Sequence, residues 1–132
     1  MTSLARENAR RAGVEQVISW RTMPAEQFYR REPFGCLVCN PPYGERTGES
    51  FQVEALYRSL GQIFIRLDRW SAFILTAHPR FEQQFGRRAD RNRKMYNGNM
   101  KTYLYQYFGP LPHASGPGTG VPTPGDPAPD AP

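Results

Sequence analysis

The chain has 132 residues, enough for one small domain and not two. Hydrophobic residues make up 39% and aromatics 13%, so a packed core is within reach. The formal net charge is +5, and setting aside the two aspartates of the last twenty residues, Asp126 and Asp130, leaves +7 on residues 1–112. Such a surplus suits an anionic partner or simply solubility, and 15 of the 17 basic residues are Arg, the side chain that meets phosphates bidentately and stacks on bases. No apolar run has transmembrane length, and Met1 to Val14 is polar and arginine-rich, unlike a signal peptide. The expected location is the cytoplasm, with no membrane partner.

Leu4 to Ala12 reads as an amphipathic helix with Gly13 as its stop. Gln16 to Trp20 is predicted as a short strand. Pro24 opens a turn or short helix through Tyr29, and Pro33-Phe34-Gly35 breaks the pattern. Phe34 to Cys39 is predicted as a second strand, apolar on both faces and therefore buried and parallel. After a loop, Leu56, Leu60, Ile63, Phe64 and Leu67 fall on one helical stripe, with Ser50 available as N-cap. Ser71 to Thr76 is a third buried strand and Arg80 to Gly86 a short helix. Asn97-Gly98 then separates Arg93-Lys94-Met95-Tyr96 from the alternating run Met100 to Phe108, a two-residue hairpin signal. The fold class is α/β: a mostly parallel sheet with a terminal antiparallel hairpin. Residues 113–132 are almost entirely Pro, Gly, Ala, Ser, Thr and Asp, and read as a disordered tail behind a domain of residues 1–112.

Cys36 and Cys39 spell C-x-x-C, but residues three apart on a strand point to opposite faces and there is no second pair. They read as buried apolar sulfur, and no metal site is expected.

The chemistry concentrates where the second strand ends, at Asn40-Pro41-Pro42-Tyr43-Gly44. An exocyclic amine on a nucleobase is a poor nucleophile because its lone pair is delocalised into the ring. Acceptors on its two N–H groups rotate and polarise it, and the Asn40 side-chain oxygen and the Pro41 carbonyl suit those two places. Pro41 and Pro42 stiffen the backbone and remove two competing donors. Tyr43 suits stacking on a flat substrate, and Gly44 permits close approach. A plain Pro-Pro loop after a strand is the competing reading.

The segments Ala5 to Val14, Asn40 to Arg46 and Ala89 to Gly98, with Tyr105-Gln106-Tyr107 behind the last, together resemble the RlmL-like bacterial large-subunit ribosomal RNA guanine-N2-methyltransferases. These are class I enzymes that use S-adenosylmethionine. The second segment is shared by several amino-methyltransferase families, and the third is more specific. The resemblance implies methyl transfer from S-adenosylmethionine to the exocyclic amine of a guanine in rRNA. It puts Asn40, Pro41, Pro42 and Tyr43 at the reacting amine, with Asn40 also touching the cofactor and Glu45 and Arg46 supporting the loop. The target base would be flipped out of its helix. Arg87, Arg88, Arg91, Arg93 and Lys94 are candidate phosphate contacts, a solvated face being the alternative.

Members of that group begin with a strand, a glycine-rich loop and an acidic residue for the cofactor ribose. None of these stands ahead of Leu4. Near the adenine the family carries an acidic residue, where this chain has Met23-Pro24-Ala25, with Glu26 or Gln27 nearby. The expectation is therefore a C-terminal fragment of the catalytic domain. It would hold the target-amine half of the site, with an incomplete S-adenosylmethionine site, and its partners would be rRNA and the missing N-terminal half. The alternatives are a fragment of a DNA adenine or protein glutamine methyltransferase, which share Asn-Pro-Pro-Tyr, and a non-catalytic basic RNA-binding remnant.

Overall fold

In the computed structural model the described residues are 2–43 and 50–112. Helix α1 spans Thr2–Arg11, with Glu7 paired to both Arg10 and Arg11. It stops as expected: Gly13 takes φ +70°, and the Val14 N–H reaches the Ala9 carbonyl at 3.0 Å while the Gly13 N–H reaches Arg10. This is the left-handed closure that glycine allows.

The predicted strand Gln16 to Trp20 does not form. A single 3-10 turn, Glu15–Val17, stands there, followed by irregular chain. Its apolar residues find no cover: Val17 is 78% exposed. A strand is stable only beside another strand, and no described strand lies next to this segment. A second 3-10 turn, Ala25–Gln27, occupies the place where Pro24 was read as opening a turn or short helix.

Four strands make the sheet: β1 (Cys36–Cys39), β2 (Ser71–Thr76), β3 (Arg91–Asn97) and β4 (Met100–Tyr107). Their order is β1-β2-β4-β3. The β1–β2 pairing is parallel and the other two are antiparallel, so the sheet is mixed. The parallel share is smaller than the sequence suggests because Gln16 to Trp20 contributes nothing to it. Helix α2 (Ser50–Arg66) makes the crossover from β1 to β2, and α3 (Phe81–Phe85) lies beside it.

Register decides which side chains meet these helices. Leu37 stands beside Ala72 and Cys39 beside Ile74, while Ala72 faces Tyr107 and Ile74 faces Tyr105. This set packs under Val53, Tyr57, Leu60, Ile63, Phe64 and Leu67 of α2 and its C-terminal end, and Phe81 and Phe85 of α3. The predicted α2 stripe is thus the core, with Leu56 at its margin. Aromatic rings dominate: Phe64, Phe85, Tyr107, Phe81 and Tyr105 run in contact, with centroid separations between 4.6 and 5.8 Å. Such pairs add to simple area burial.

The opposite face of β1 is open, against the expectation of a strand buried on both sides. Val38 is 75% exposed and Cys36 is exposed as well, because both helices of the core lie on the other side. The hairpin is shifted by one residue from its sequence signal. Asn97 pairs with Met100, so Gly98 and Asn99 form the turn, with Gly98 at φ +62°. The Ser50 cap falls at the first residue of α2, and its side chain, like residues 44–49 and 113–132, lies outside what is described. No helix among the described residues is long and apolar enough to cross a membrane.

Candidate active site

Asn40 leaves β1 at its carboxyl end, one residue after the Cys39–Ile74 pairing. Beside a parallel pair, this is the end at which α/β sheets bind ligands. Asn40 is exposed, Pro41 buried and Tyr43 half-buried. The Tyr43 hydroxyl donates to Asn40 Oδ1 at 2.8 Å, which fixes the carboxamide. An amide oxygen has two lone pairs, so one remains for an incoming N–H. Among the described residues nothing donates to the Pro41 carbonyl. Gly44, Glu45 and Arg46 lie outside the described residues.

A relay of hydroxyls holds this loop from behind. The Tyr57 hydroxyl donates to the Pro42 carbonyl at 2.9 Å and stands 2.8 Å from Thr76 Oγ1. With its single proton given to Pro42, Tyr57 accepts from Thr76, whose oxygen in turn accepts the His78 N–H at 3.1 Å. Burial raises the Tyr57 pKa above the usual phenol value, which keeps the donor protonated. His78 packs edge-on against the Tyr57 ring at 5.4 Å. Its Nδ1 accepts the Arg80 N–H at 3.2 Å, and Arg80 also pairs with Glu54, whose carboxylate is 3.8 Å from His78 Nε2. Tyr57, Thr76, His78 and Glu54 escape a reading of the sequence by motif. One signal was present: a tyrosine on an apolar stripe between Val53 and Leu60 needs a partner for its hydroxyl.

A cavity of about 430 Å³ adjoins the loop, lined by Glu26, Pro42, Gln52, Val53 and Leu56. Glu26 thus stands on the same hollow as Pro42. The described residues fit the amine-facing side of a methyl transfer. The hollow itself sets one carboxylate, Glu26, and one carboxamide, Gln52, beside the apolar Pro42, Val53 and Leu56.

The basic run divides. Alternation along β3 sets Arg91 and Arg93 on the open face of the sheet and Lys94 on the helix-bearing face. Arg87 lies over the rings of Phe64 and Tyr107 and 3.4 Å from Asp90, so much of its guanidinium is engaged in packing, while Arg88 is exposed. The two sulfurs also differ from their description as buried: Cys36 is exposed and Cys39 half-buried. Burial pushes the Cys39 thiol up, away from a reactive thiolate. Among the described residues no three His, Cys, Asp or Glu side chains gather to hold a metal ion.

Comparison with known proteins adds four findings. Residues 1–106 match the family described as "RMKL-like, methyltransferase domain". The chain is 44% identical over 108 residues to the Bacillus subtilis (strain 168) protein named "Putative RNA methyltransferase YpsC", covering 82% of this chain and 28% of that one. It is 41% identical over 104 residues to "Ribosomal RNA large subunit methyltransferase K/L" of Legionella pneumophila (strain Corby), covering 78% and 15% respectively. Among solved structures, SMU.472 "complexed with SAH" matches with a TM-score of 0.78 and 45% identity, over 84% of this chain and 29% of that one. The chain therefore spans less than a third of the length of these relatives, and the matched fold is part of a Rossmann-like methyltransferase.

Proposed function

We propose, from the premise that the chain belongs to the RMKL-like methyltransferase domain family, that it carries the target-amine side of an enzyme that methylates a guanine in large-subunit ribosomal RNA at its exocyclic nitrogen. The observation that carries this reading is Asn40, its carboxamide pinned by Tyr43 at the carboxyl end of β1 with one acceptor lone pair left. The Asn40 oxygen and the Pro41 carbonyl accept hydrogen bonds from the two amine N–H groups. That turns the nitrogen lone pair out of conjugation with the ring. Pro42, held through Tyr57 and Thr76, keeps the two acceptors at a fixed spacing, and near-attack geometry is worth several orders of magnitude in rate. Tyr43 offers a ring beside the flipped base. S-adenosylmethionine, the donor suggested by the SAH complex of the SMU.472 structure, supplies an electrophilic methyl group. Its glycine-rich cradle and ribose carboxylate would come from the rest of a protein as long as the relatives. A ribosomal RNA target would place this activity in the cytoplasm, and Arg88, Arg91 and Arg93, with Arg87 and Lys94, are its candidate phosphate contacts.

The test is a chimera in which residues 2–108 replace the matched segment of the Bacillus subtilis relative. Labelled methyl groups should pass to undermethylated large-subunit rRNA and appear as N2-methylguanine. Asn40→Ala should lower that rate at least 100-fold without changing RNA affinity. An Asn40→Ala chimera with normal activity would sink the proposal, and label appearing in DNA adenine or in a release-factor glutamine would redirect it to the sister chemistries. The 132-residue chain by itself is expected to bind S-adenosylmethionine weakly or not at all; micromolar binding by titration calorimetry would contradict that.

A further inference from the structure

The β3–β4 hairpin carries a pattern that the site described so far does not use. Lys94 and Tyr96 alternate on β3, and Lys101 and Tyr103 on β4. Register sets Lys94 opposite Tyr103 and Tyr96 opposite Lys101, so all four share one face with each cation diagonal to the other. Lys94 Nζ lies 5.5 Å from the Tyr96 ring centroid and Lys101 Nζ 5.4 Å from that of Tyr103. Tyr103 continues to Tyr105 at 6.2 Å and from there to Phe81 in the core, so the outer rings stand on a packed base. Tyr96 is 65% exposed. The last residue of β2, Thr76, meets Tyr103, so the hairpin outruns the sheet by Met100 to Thr102, about 10 Å. It does so at the end where Asn40 leaves β1, two strand spacings or about 10 Å across the sheet. Cross-strand Lys–Tyr pairs also stabilise a bare hairpin. That alone does not explain why the pattern overhangs the amine site, in a chain of net charge +5.

We infer that this hairpin face is a clamp for single-stranded RNA. Tyr96 and Tyr103 stack on unpaired bases flanking the target, and Lys94 and Lys101 meet their phosphates. This inference rests on the amine-site reading of Asn40. Aromatic rings interleaved with cations are how proteins hold single strands without reading sequence, and flanking bases must be unstacked when a target base is flipped out.

The experiment is fluorescence anisotropy of the full 132-residue chain with a fluorescein-labelled 12-nucleotide single-stranded RNA between 50 and 200 mM salt. Tyr96→Ala with Tyr103→Ala should weaken binding on the order of 10-fold per ring with the salt dependence unchanged. The corresponding Tyr→Phe pair should restore affinity, since phenylalanine stacks equally well. Lys94→Ala with Lys101→Ala should instead flatten the salt slope by about 1.4, two single-strand phosphates. Tyr96→Ala alone, at an exposed position, guards against misfolding as the cause. No RNA binding by the wild-type chain, affinity untouched by both double variants, or preference for a duplex of equal length would each overturn the inference. Hairpin variants that bind normally beside an inactive Asn40→Ala chimera would remove the clamp and keep the amine site; the converse would remove the amine site alone.

Discussion

Residues 2–33 and residues 50–112 carry comparable apolar signals and meet different fates. The later stretch supplies every member of the buried hydrophobic cluster, from Val53 to Tyr107. The earlier one buries Ala9, lends Phe28 to the edge of that cluster, and leaves Val14, Val17 and Ile18 at 41%, 78% and 37% exposure. Local propensity is not what separates them, since Gln16 to Trp20 is as strand-like as Ser71 to Thr76. The difference is a neighbour: Ser71 to Thr76 has β1 on one side and β4 on the other. Strand propensity expresses fit to a pleated, half-covered surface, and without such a surface it is silent.

If that contrast is right, the largest stability losses belong to the later stretch. Phe81, fully buried between Tyr57 and Tyr105, should cost about 3–5 kcal/mol on change to Ala. Urea denaturation of the chain measures it, and a loss below about 1 kcal/mol would show the aromatic cluster to be loosely packed. Gly61→Ala comes next. A Cβ there would stand 2.0 Å from the Phe85 carbonyl, where α2 and α3 meet with no side chain between them. Helix propensity favours the change, but backbone cannot yield as a flexible side chain can. The expected outcome is a net loss of about 1–3 kcal/mol, and a gain would mean that α3 moves freely on α2.

Tyr57→Phe links the core to the chemistry. It leaves the Pro42 carbonyl and the Thr76 proton without their partners, a loss of about 1–3 kcal/mol that falls mainly on Thr76, which is fully buried while Pro42 is exposed. In the chimera it should lower the methylation rate while KM for RNA stays put. A change in KM alone would mean that Tyr57 only supports the fold.

Much of the fold could be read before any coordinates. The bounds of β2 are those expected, and Leu60, Ile63, Phe64 and Leu67 are buried because helical spacing alone puts them on one stripe. The hairpin moved by one residue because Gly98 suits either turn position, and pairing of Asn97 with Met100 was the deciding energy. The Asn40 loop was legible because its chemistry is local. The relay behind it was not: Tyr57 and Thr76 lie 15 and 34 residues beyond Pro42, and periodicity carries no word of which hydroxyl meets which carbonyl. The openness of β1 escaped for a related reason, since an apolar run does not say on how many faces it will be covered.

A smaller, pH-dependent effect also separates the regions. Burial raises the pKa of Tyr57, Tyr105 and Tyr107, all in the later stretch. Above about pH 10 the unfolded chain gives up phenolic protons that the folded chain retains, so the unfolded state binds fewer protons and stability falls as pH rises. The thermal midpoint should hold steady up to about pH 9 and then drop, with Tyr107→Phe flattening the drop. An unchanged midpoint at pH 11 would show these hydroxyls to be in contact with water.

The smallest effect is the most pointed. Val17→Ala in the 132-residue chain should shift stability by no more than about 0.5 kcal/mol, because the side chain is 78% exposed and makes no ladder. In the chimera, if a strand from the rest of the relative's chain covers the segment, the same change should cost about 1–2 kcal/mol. Amide exchange at residues 16–20 should slow there as well, as paired backbone N–H groups do. A cost that stays small in the chimera would mean that the segment lacks the strand propensity its sequence suggests. A cost that is already large in the short chain would mean that Val17 has cover of its own, and the contrast between the two stretches would then need another cause than the missing neighbour.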